Sequence, residues 1–437
     1  MNKPVKVIGA GLAGCEAAWQ LIQRGIPVDL YEMKPIKYSP AHKMEGMAEL
    51  VCSNSLKAEH LTNASGLLKA EMQRLDSLIL RCAHAARVPA GGALAVDRQL
   101  FSAEVERALL SSPLITYQKE LVEQMPDGPC IIATGPLTDE ALCESICERT
   151  GADSLHFFDA AAPIVTLESL NMNRIFRASR YGKGDDYLNC PMNEQEYNAF
   201  YDALVSAELA PLHDFEKKLV FEGCLAVEIL ASRGRQTLSF GPLKPVGLAD
   251  PNTGKMPHAV VQLRQDNAEG TLYNLVGFQT RLKWGEQKRV FSMIPGLEDA
   301  EFVRYGVMHR NTYLDSPNLL AQNYAWNKDK LVRFAGQMTG VEGYMESTSS
   351  GLLAGLSLAR EIKGQPPIDF TEMTVIGALE HYVRTPNRDF QPMNANFGIL
   401  TQLSNRVRGK KLRYEQLADR SIRLMDEIIA GIQTEDT

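Results

Sequence analysis

With 437 residues, 45% of them hydrophobic, the chain has core enough for two or three domains, which excludes a disordered or fibrous polymer. A formal net charge of −7 excludes a global pull toward nucleic acid and leaves only a local basic patch to hold one. No apolar stretch is long enough to span a bilayer, and the N-terminus enters a strand almost at once, without room for a signal or transit peptide; the expected compartment is the cytoplasm.

Val5-Lys-Val-Ile8 reads as a short buried strand, and Gly9, Gly11 and Gly14 then fit G-x-G-x-x-G with Ala10, Leu12 and Ala13 between them. Cys15–Arg24 has helix formers with apolar positions at helical spacing, Gly25 stops the helix, and Ile26–Tyr31 is a second strand with Glu32 at its end. Gly9 allows the tight turn, Gly11 lets backbone approach a pyrophosphate, and Gly14 lets helix and strand pack closely. The helix N-terminus faces the phosphates, and Glu32 is placed to accept from a ribose hydroxyl. An ordinary glycine turn in a parallel sheet is the competing explanation, but strand, helix, second strand and terminal acid all follow in order.

The fingerprint alone does not separate NAD from FAD. Ile131-Ile-Ala-Thr134-Gly135 points to FAD, because it resembles the strand that returns to the nucleotide in two-dinucleotide-binding flavoproteins. There is no second G-x-G-x-x-G, so no dedicated NAD(P)H domain is expected.

Met33–Pro40 is rich in turn residues and excludes regular helix. In Leu50-Val-Cys-Ser-Asn-Ser55, Cys52 lies before a run that favours a turn or helix cap. Exposed backbone N–H groups there would lower a thiol pKa; Cys52 is either reactive or structural, and position leaves both open. Leu67–Ala86 reads as one amphipathic helix. Gly91-Gly92 permits close backbone approach to a ligand, Asp97 can cap a helix through Leu110, and Arg98 can reach a phosphate or carboxylate; a plain strand, turn and capped helix fits equally. Leu137–Thr150 reads as a helix.

From Gly151 the pattern shifts to turns and short strands, with a helix near Asn193–Ala207 and paired strands at Ala259–Arg264 and Thr271–Gln279. Cys224 sits at a turn in Phe221-Glu-Gly-Cys224. Lys283, Trp284, Lys288 and Arg289 concentrate charge around an indole, which suits either a stacked base with its phosphate or a solvated helix face. Val332–Ser347 joins an apolar strand to a glycine-spaced loop that includes Gly336, and Ser347–Arg360 then reads as a helix. Such a helix N-terminus favours negative charge on a reduced flavin; Tyr344 either lies over a flat ligand or packs. Ala378–Val383 looks helical, and Arg406–Arg413 is a basic cluster that is either a phosphate-binding strip or a solvated helix end. The expected organisation is a nucleotide domain over 1–150, an inserted domain over 151–330, and a return with a basic tail over 331–437.

The eight cysteines form no C-x-x-C pair, which fits a reducing compartment. Cys143 and Cys147 lie four apart, so buried thiols explain them better than a metal site.

These strings resemble the folate- and FAD-dependent tRNA (uracil-5-)-methyltransferases, relatives of the GidA/MnmG flavoproteins. The resemblance covers nearly the whole chain and rests on Ile8–Gly14, Leu50–Ser55, Pro89–Arg98, Phe221–Cys224, Val261–Asn267, Leu282–Lys288 and Gly336–Tyr344. It implies an α/β fold: a Rossmann-type, glutathione-reductase-like FAD-binding domain with an inserted α+β domain. It also implies FAD as cofactor, 5,10-methylenetetrahydrofolate as carbon donor, NADH or NADPH as reductant, and a T-loop uridine of tRNA as acceptor. No metal, membrane or protein partner is implied. Cys52 and Cys224 fall in the motifs that carry the family's two functional cysteines, with Cys224 favoured as nucleophile toward uracil C6 and Cys52 as the flavin-side thiol; the roles are exchangeable on sequence alone. Arg98 and Tyr344 are candidates for folate contacts. Two other readings remain: a wobble-uridine-modifying flavoprotein with a GTPase partner, and a flavin oxidoreductase without an RNA substrate.

Overall fold

The computed structural model describes residues 3–151, 154–160, 162–210, 225–306, 308–387, 390–405 and 407–435. The strand Val5–Ile8 lies inside a six-stranded sheet, parallel to Val28–Glu32 on one side and Cys130–Ile132 on the other. Ile115–Lys119 and Asp329–Phe334 extend it in parallel, and the antiparallel Ala325–Trp326 closes one edge. Val5, Val7, Val28 and Leu30 are fully buried, as a sheet covered on both faces requires. The chain leaves Val5–Ile8 toward one side and later returns on the other, which opens a crevice beyond the carboxyl ends of these strands.

The helix Leu12–Ile22 follows the first strand, and Gly25, at φ 75°, ends the connection. The late helix Tyr344–Ile362 lies on it in backbone contact. A Cβ on Gly351 would stand 2.1 Å from the Ala13 carbonyl oxygen, and one on Gly355 2.5 Å from that of Ala17. This contact fixes the late helix against the fingerprint.

The expected helix over Leu67–Ala86 is two helices, Ala64–Arg74 and Leu78–Ala85. Asp76 takes φ 55° between them, and Ser77 caps the second helix at the Leu80 N–H. The buried Glu16 carboxylate accepts from Ser77, Leu78 and Ile79 and holds the break open. Helical periodicity continues across the break, so the pattern alone hides it. The late helix starts at Tyr344, ahead of the expected Ser347. Leu137–Thr150 is a short 3₁₀ turn at Gly135–Leu137 and a helix at Glu140–Thr150 capped by Asp139.

The insertion builds a second six-stranded antiparallel sheet with its own core. Its order is Phe176–Arg177, Tyr187–Met192, Ala259–Gln265, Leu272–Leu275, Ile164–Thr166 and Phe302–Arg304. Leu263 stands opposite Leu275, and a capping box between Asn193 and Glu196 starts the helix Glu194–Val205. The outgoing strand Ser154–Ala160 pairs with the returning Met308–Leu314. Tyr313, Leu314 and Leu319 already pack in the first core, and Ala325–Trp326 belongs to the first sheet, so the chain rejoins that core before 331. Among the described residues no helix is long and apolar enough to cross a membrane.

Candidate active site

The fingerprint turn and the late glycine loop meet at one cleft. Gly9, Ala10, Gly11, Leu12 and Ala13 line it, together with Glu32, Thr134, Gly135, Gly336 and Tyr344. Gly14 does not. A Cβ there would sit 1.8 Å from the Gly9 carbonyl oxygen, so Gly14 is the packing spacer of the turn. Gly9 itself needs φ 99°, and a Cβ on it would meet the Ala133 carbonyl oxygen at 2.7 Å. At Gly11 a Cβ would have no neighbour within 4 Å; the space it would take is the cleft.

The Glu32 carboxylate is aimed by two backbone donors, Ala10 N–H at 3.0 Å and Lys34 N–H at 3.1 Å. Each oxygen keeps acceptor capacity for a ribose hydroxyl. Two helix N-termini, Leu12–Ile22 and Tyr344–Ile362, reach the cleft, and neither carries a side-chain cap. Their unsatisfied N–H groups and positive dipole ends suit a pyrophosphate at one point and a second anionic centre at the other. Open space at Gly11, an aimed acid and two uncapped helix ends fit a dinucleotide such as FAD.

Val51 lines the same cleft, and Cys52 beside it is half-buried. The Tyr344 phenol oxygen accepts from Cys52 N–H at 2.7 Å and from Ser53 N–H at 3.1 Å. The N–H groups expected to sit free beside the thiol are therefore taken by Tyr344. Burial, and then the Cys52 charge, push the Tyr344 phenol above its usual range, so it stays a neutral hydroxyl.

Arg98 is not among the residues lining the cleft, and it reaches a carboxylate, one of its two expected partners. It forks onto Asp266, with both contacts at 3.2 Å, and donates to the Leu50 carbonyl. Asp97 caps the helix Arg98–Leu110, as expected. Two further arginines hold the same loop and escaped sequence reasoning. Arg264 donates to Ser53 Oγ at 2.7 Å and to Asn54 Oδ1 at 3.0 Å, and Arg304 donates to the Val51 carbonyl. Arg264 had a signal: a cation inside the apolar run Ala259–Gln265, where charge must be paired. Cys224 lies outside the described residues.

Trp284 is 62% exposed and begins the helix Trp284–Phe291. Its ring stacks on Tyr305 at 5.7 Å, and Tyr305 stacks on Phe302 at 5.4 Å. Lys283 pairs with Glu208 and Arg289 with Glu286, each at 2.6 Å, so much of the expected local charge is neutralised. Arg406 lies outside the described residues. Lys410, Lys411 and Arg413 occupy the first turn of the helix Lys410–Glu435, with Lys410 and Arg413 against the Tyr414 ring. Burial pushes the thiols of Cys15, Cys82, Cys130 and Cys190 up, and among the described residues no group of His, Cys, Asp and Glu suits a metal.

The family model for glucose inhibited division protein A matches residues 4–366. The solved structure of Aquifex aeolicus GidA in its form I crystal superposes with a TM-score of 0.68, at 14% identity, over 97% of this chain and 76% of that one. That likeness shows the fold: an α/β Rossmann-type domain with a second domain inserted. A methylenetetrahydrofolate--tRNA-(uracil-5-)-methyltransferase TrmFO from Enterococcus faecalis is 56% identical over 99% of this chain and 100% of its own length. The protein of that name from Desulforamulus reducens is 59% identical over 97% of both chains. With a family model matched over most of its length and relatives 56–59% identical over nearly all of it, the chain belongs to the GidA family and, within it, to the TrmFO methyltransferases.

Proposed function

We propose that this chain methylates C5 of the T-loop uridine of tRNA to ribothymidine, with 5,10-methylenetetrahydrofolate as carbon donor, FAD as cofactor and NADH or NADPH as reductant. The observation that carries this is the 56–59% identity, over 97–99% of the chain, to relatives named for that reaction. The cleft adds a chemical reason, because it brings a cysteine loop to the edge of a dinucleotide site.

Uracil C5 is a weak nucleophile. Addition of the Cys224 thiolate to C6 makes C5 enolate-like, so that C5 bonds to the carbon taken from the folate. Cys52 then takes the C5 proton as the bond from the transferred carbon to the folate nitrogen breaks, hydride adds to the exocyclic methylene so formed, and the C6–S bond breaks so that Cys224 leaves as thiolate. Bound and reduced, FAD supplies the reducing equivalents that complete the methyl group. Gly9, Ala10, Gly11, Leu12, Ala13 and Glu32 would hold its nucleotide half, and Thr134, Gly135, Gly336 and Tyr344 its remainder. The assignment of Cys224 rests on the family motif Phe221-Glu-Gly-Cys224. No protein partner is needed, and the cytoplasm is where the reading puts the enzyme with its tRNA.

A T-loop uridine is buried by tertiary contacts, so the base must be flipped out. Trp284 offers an exposed indole, and its stack on Tyr305 leads directly to Arg304 and the Cys52 loop. Lys283, Lys288 and Arg289 stand around it. The Arg406–Arg413 strip is a second RNA contact: its cations sit at the positive end of the helix Lys410–Glu435, where they oppose the helix dipole.

The test is transfer of label from the methylene carbon of the folate to an unmodified tRNA transcript, with FAD and NADPH supplied and the product nucleotide mapped. Label in T-loop ribothymidine, lost in Cys52→Ala and in Cys224→Ala, is the expected result. Label in the anticodon loop, or flavin turnover without label in RNA, would overturn the reading.

A further inference from the structure

The loop that carries Cys52 is held by arginine side chains from distant parts of the chain. The Leu50 carbonyl accepts from Arg98, the Val51 carbonyl from Arg304, and Ser53 Oγ and Asn54 Oδ1 from Arg264. Arg98 opens a helix of the first domain, whereas Arg264 and Arg304 come from two strands of the inserted sheet. Arg264 is 8% exposed and the Arg98 side chain 10%.

Three guanidiniums largely withdrawn from water and facing one loop favour negative charge among them. Asp266 faces them but is taken by Arg98. Glu49, at the start of the loop, lies 3.6 Å from Lys34. Tyr344 and Tyr187 also face the cluster, and burial pushes both phenols up, which keeps them neutral. Burial pulls the nearby His42 down, so it adds no cation at neutral pH. Arg304 Nε is buried without a hydrogen-bond partner. Among the described residues, the acid left to balance the cluster is the Cys52 thiol. Burial pulls both Arg264 and Arg304 below the usual guanidinium range, and the Cys52 charge is among the forces that push them back.

We propose that Arg98, Arg264 and Arg304 are positioning residues that clamp the Cys52 loop between the two domains and hold its sulfur as a thiolate at neutral pH. The inserted domain thereby sets the charge state of a sulfur at the rim of the nucleotide cleft. A thiolate is the form that takes a proton, so the clamp gives the proposed role of Cys52 its chemical basis. The inference rests on that reading for its purpose only; the charge state is measurable without any methyl transfer.

The test is the pH dependence of iodoacetamide alkylation in the FAD-loaded full chain, followed by mass spectrometry of the Cys52 peptide, which separates it from the other seven cysteines. The expected inflection for Cys52 lies at or below about 7, at least about 1.5 units under the ordinary free-thiol value of about 8.5. Arg304→Gln and Arg264→Gln should move it up by about one unit, which slows alkylation about tenfold at pH values a unit or more below the original inflection. Arg304→Lys, which keeps the charge, should stay near the original profile. An inflection at the ordinary value in the unaltered chain overturns the clamp, and so does an Arg304→Gln profile that matches it. If the variants lose FAD, the inflection of the unaltered chain decides alone. A low inflection without methyl transfer to tRNA would leave the clamp standing and remove the proposed substrate.

Discussion

Tyr344 stands 292 positions from Cys52 in the chain, and its phenol oxygen accepts the Cys52 N–H at 2.7 Å. The contact ties the first residue of the late helix to the cysteine loop, and Ser53 N–H shares the same oxygen. Tyr344→Phe keeps the ring and removes the acceptor. Two part-buried donors are then unsatisfied, at about 1–3 kcal/mol each, and the loop should relax to find water or another partner. The expected outcome is a kcat for methyl transfer lowered about tenfold or more, with flavin content retained. Steady-state kinetics on a tRNA transcript checks this; an unchanged kcat would make Tyr344 a packing residue.

Gly11 and Gly14 separate two functions within one fingerprint. A Cβ at Gly14 would lie 1.8 Å from the Gly9 carbonyl oxygen, whereas one at Gly11 would meet no atom of the protein within 4 Å. Gly11 also has φ −76°, which alanine adopts freely. Gly11→Ala should therefore fold with the apoprotein Tm unchanged but bind FAD at least about tenfold more weakly, because the methyl group occupies pyrophosphate space. Gly14→Ala should lower both the apoprotein Tm and flavin content. Thermal melts of deflavinated protein and flavin titration read the two effects; a Gly11→Ala protein with normal FAD affinity would contradict the cradle.

The glycine fingerprint was legible because strand, turn, helix, second strand and Glu32 follow one another within forty residues. The cysteine loop was legible only as an unusual string. What holds it comes from Arg98, Arg264, Arg304 and Tyr344, up to 292 positions away, and no periodicity reports such contacts. The helix break at Asp76 was missed for a related reason: the buried Glu16 that stabilises it lies on another element. The return of the chain to its first core was placed too late because the late glycine motif marks the cleft, not the crossing between cores.

Glu71 gives the fold a pH dependence. Its buried carboxyl accepts from Val375 N–H at 2.9 Å, Ile376 N–H at 2.8 Å and the Ser421 hydroxyl, and so caps the helix Val375–Arg384 from another helix. Burial outweighs these bonds and pushes it from the ordinary 4.5 up to about 7. The folded state then holds a proton that the unfolded chain releases. This contribution is fully present below pH 4.5 and is lost as pH rises through 7, by about 3 kcal/mol in total. Burial raises Glu16 to about 7 as well, so it adds a similar slope. Glu71→Gln should lower stability at pH 5 by about 1–2 kcal/mol through the lost acceptor, and should halve the fall between pH 5 and 8. Urea midpoints across that range are the measurement; an unchanged slope would mean that Glu71 is ionised throughout.

Trp284 decides whether the inserted domain holds RNA. Its ring is 62% exposed, is backed by Tyr305, and leads through the neighbouring Arg304 to the Cys52 loop. An indole supported on one face and open on the other is a platform for a splayed base, worth about 1–3 kcal/mol. Trp284→Ala should therefore weaken tRNA binding by about fivefold to a hundredfold, while Tm and FAD content stay the same, because little of the ring is buried. Reversal of Lys288 to Glu should weaken binding less, and more of that loss should disappear at high salt, since its contribution is to phosphate rather than to a base. Gel-shift affinities at two salt concentrations distinguish these outcomes. Full affinity in Trp284→Ala would remove the stacking platform from the proposed RNA surface and leave the Arg406–Arg413 strip to carry it.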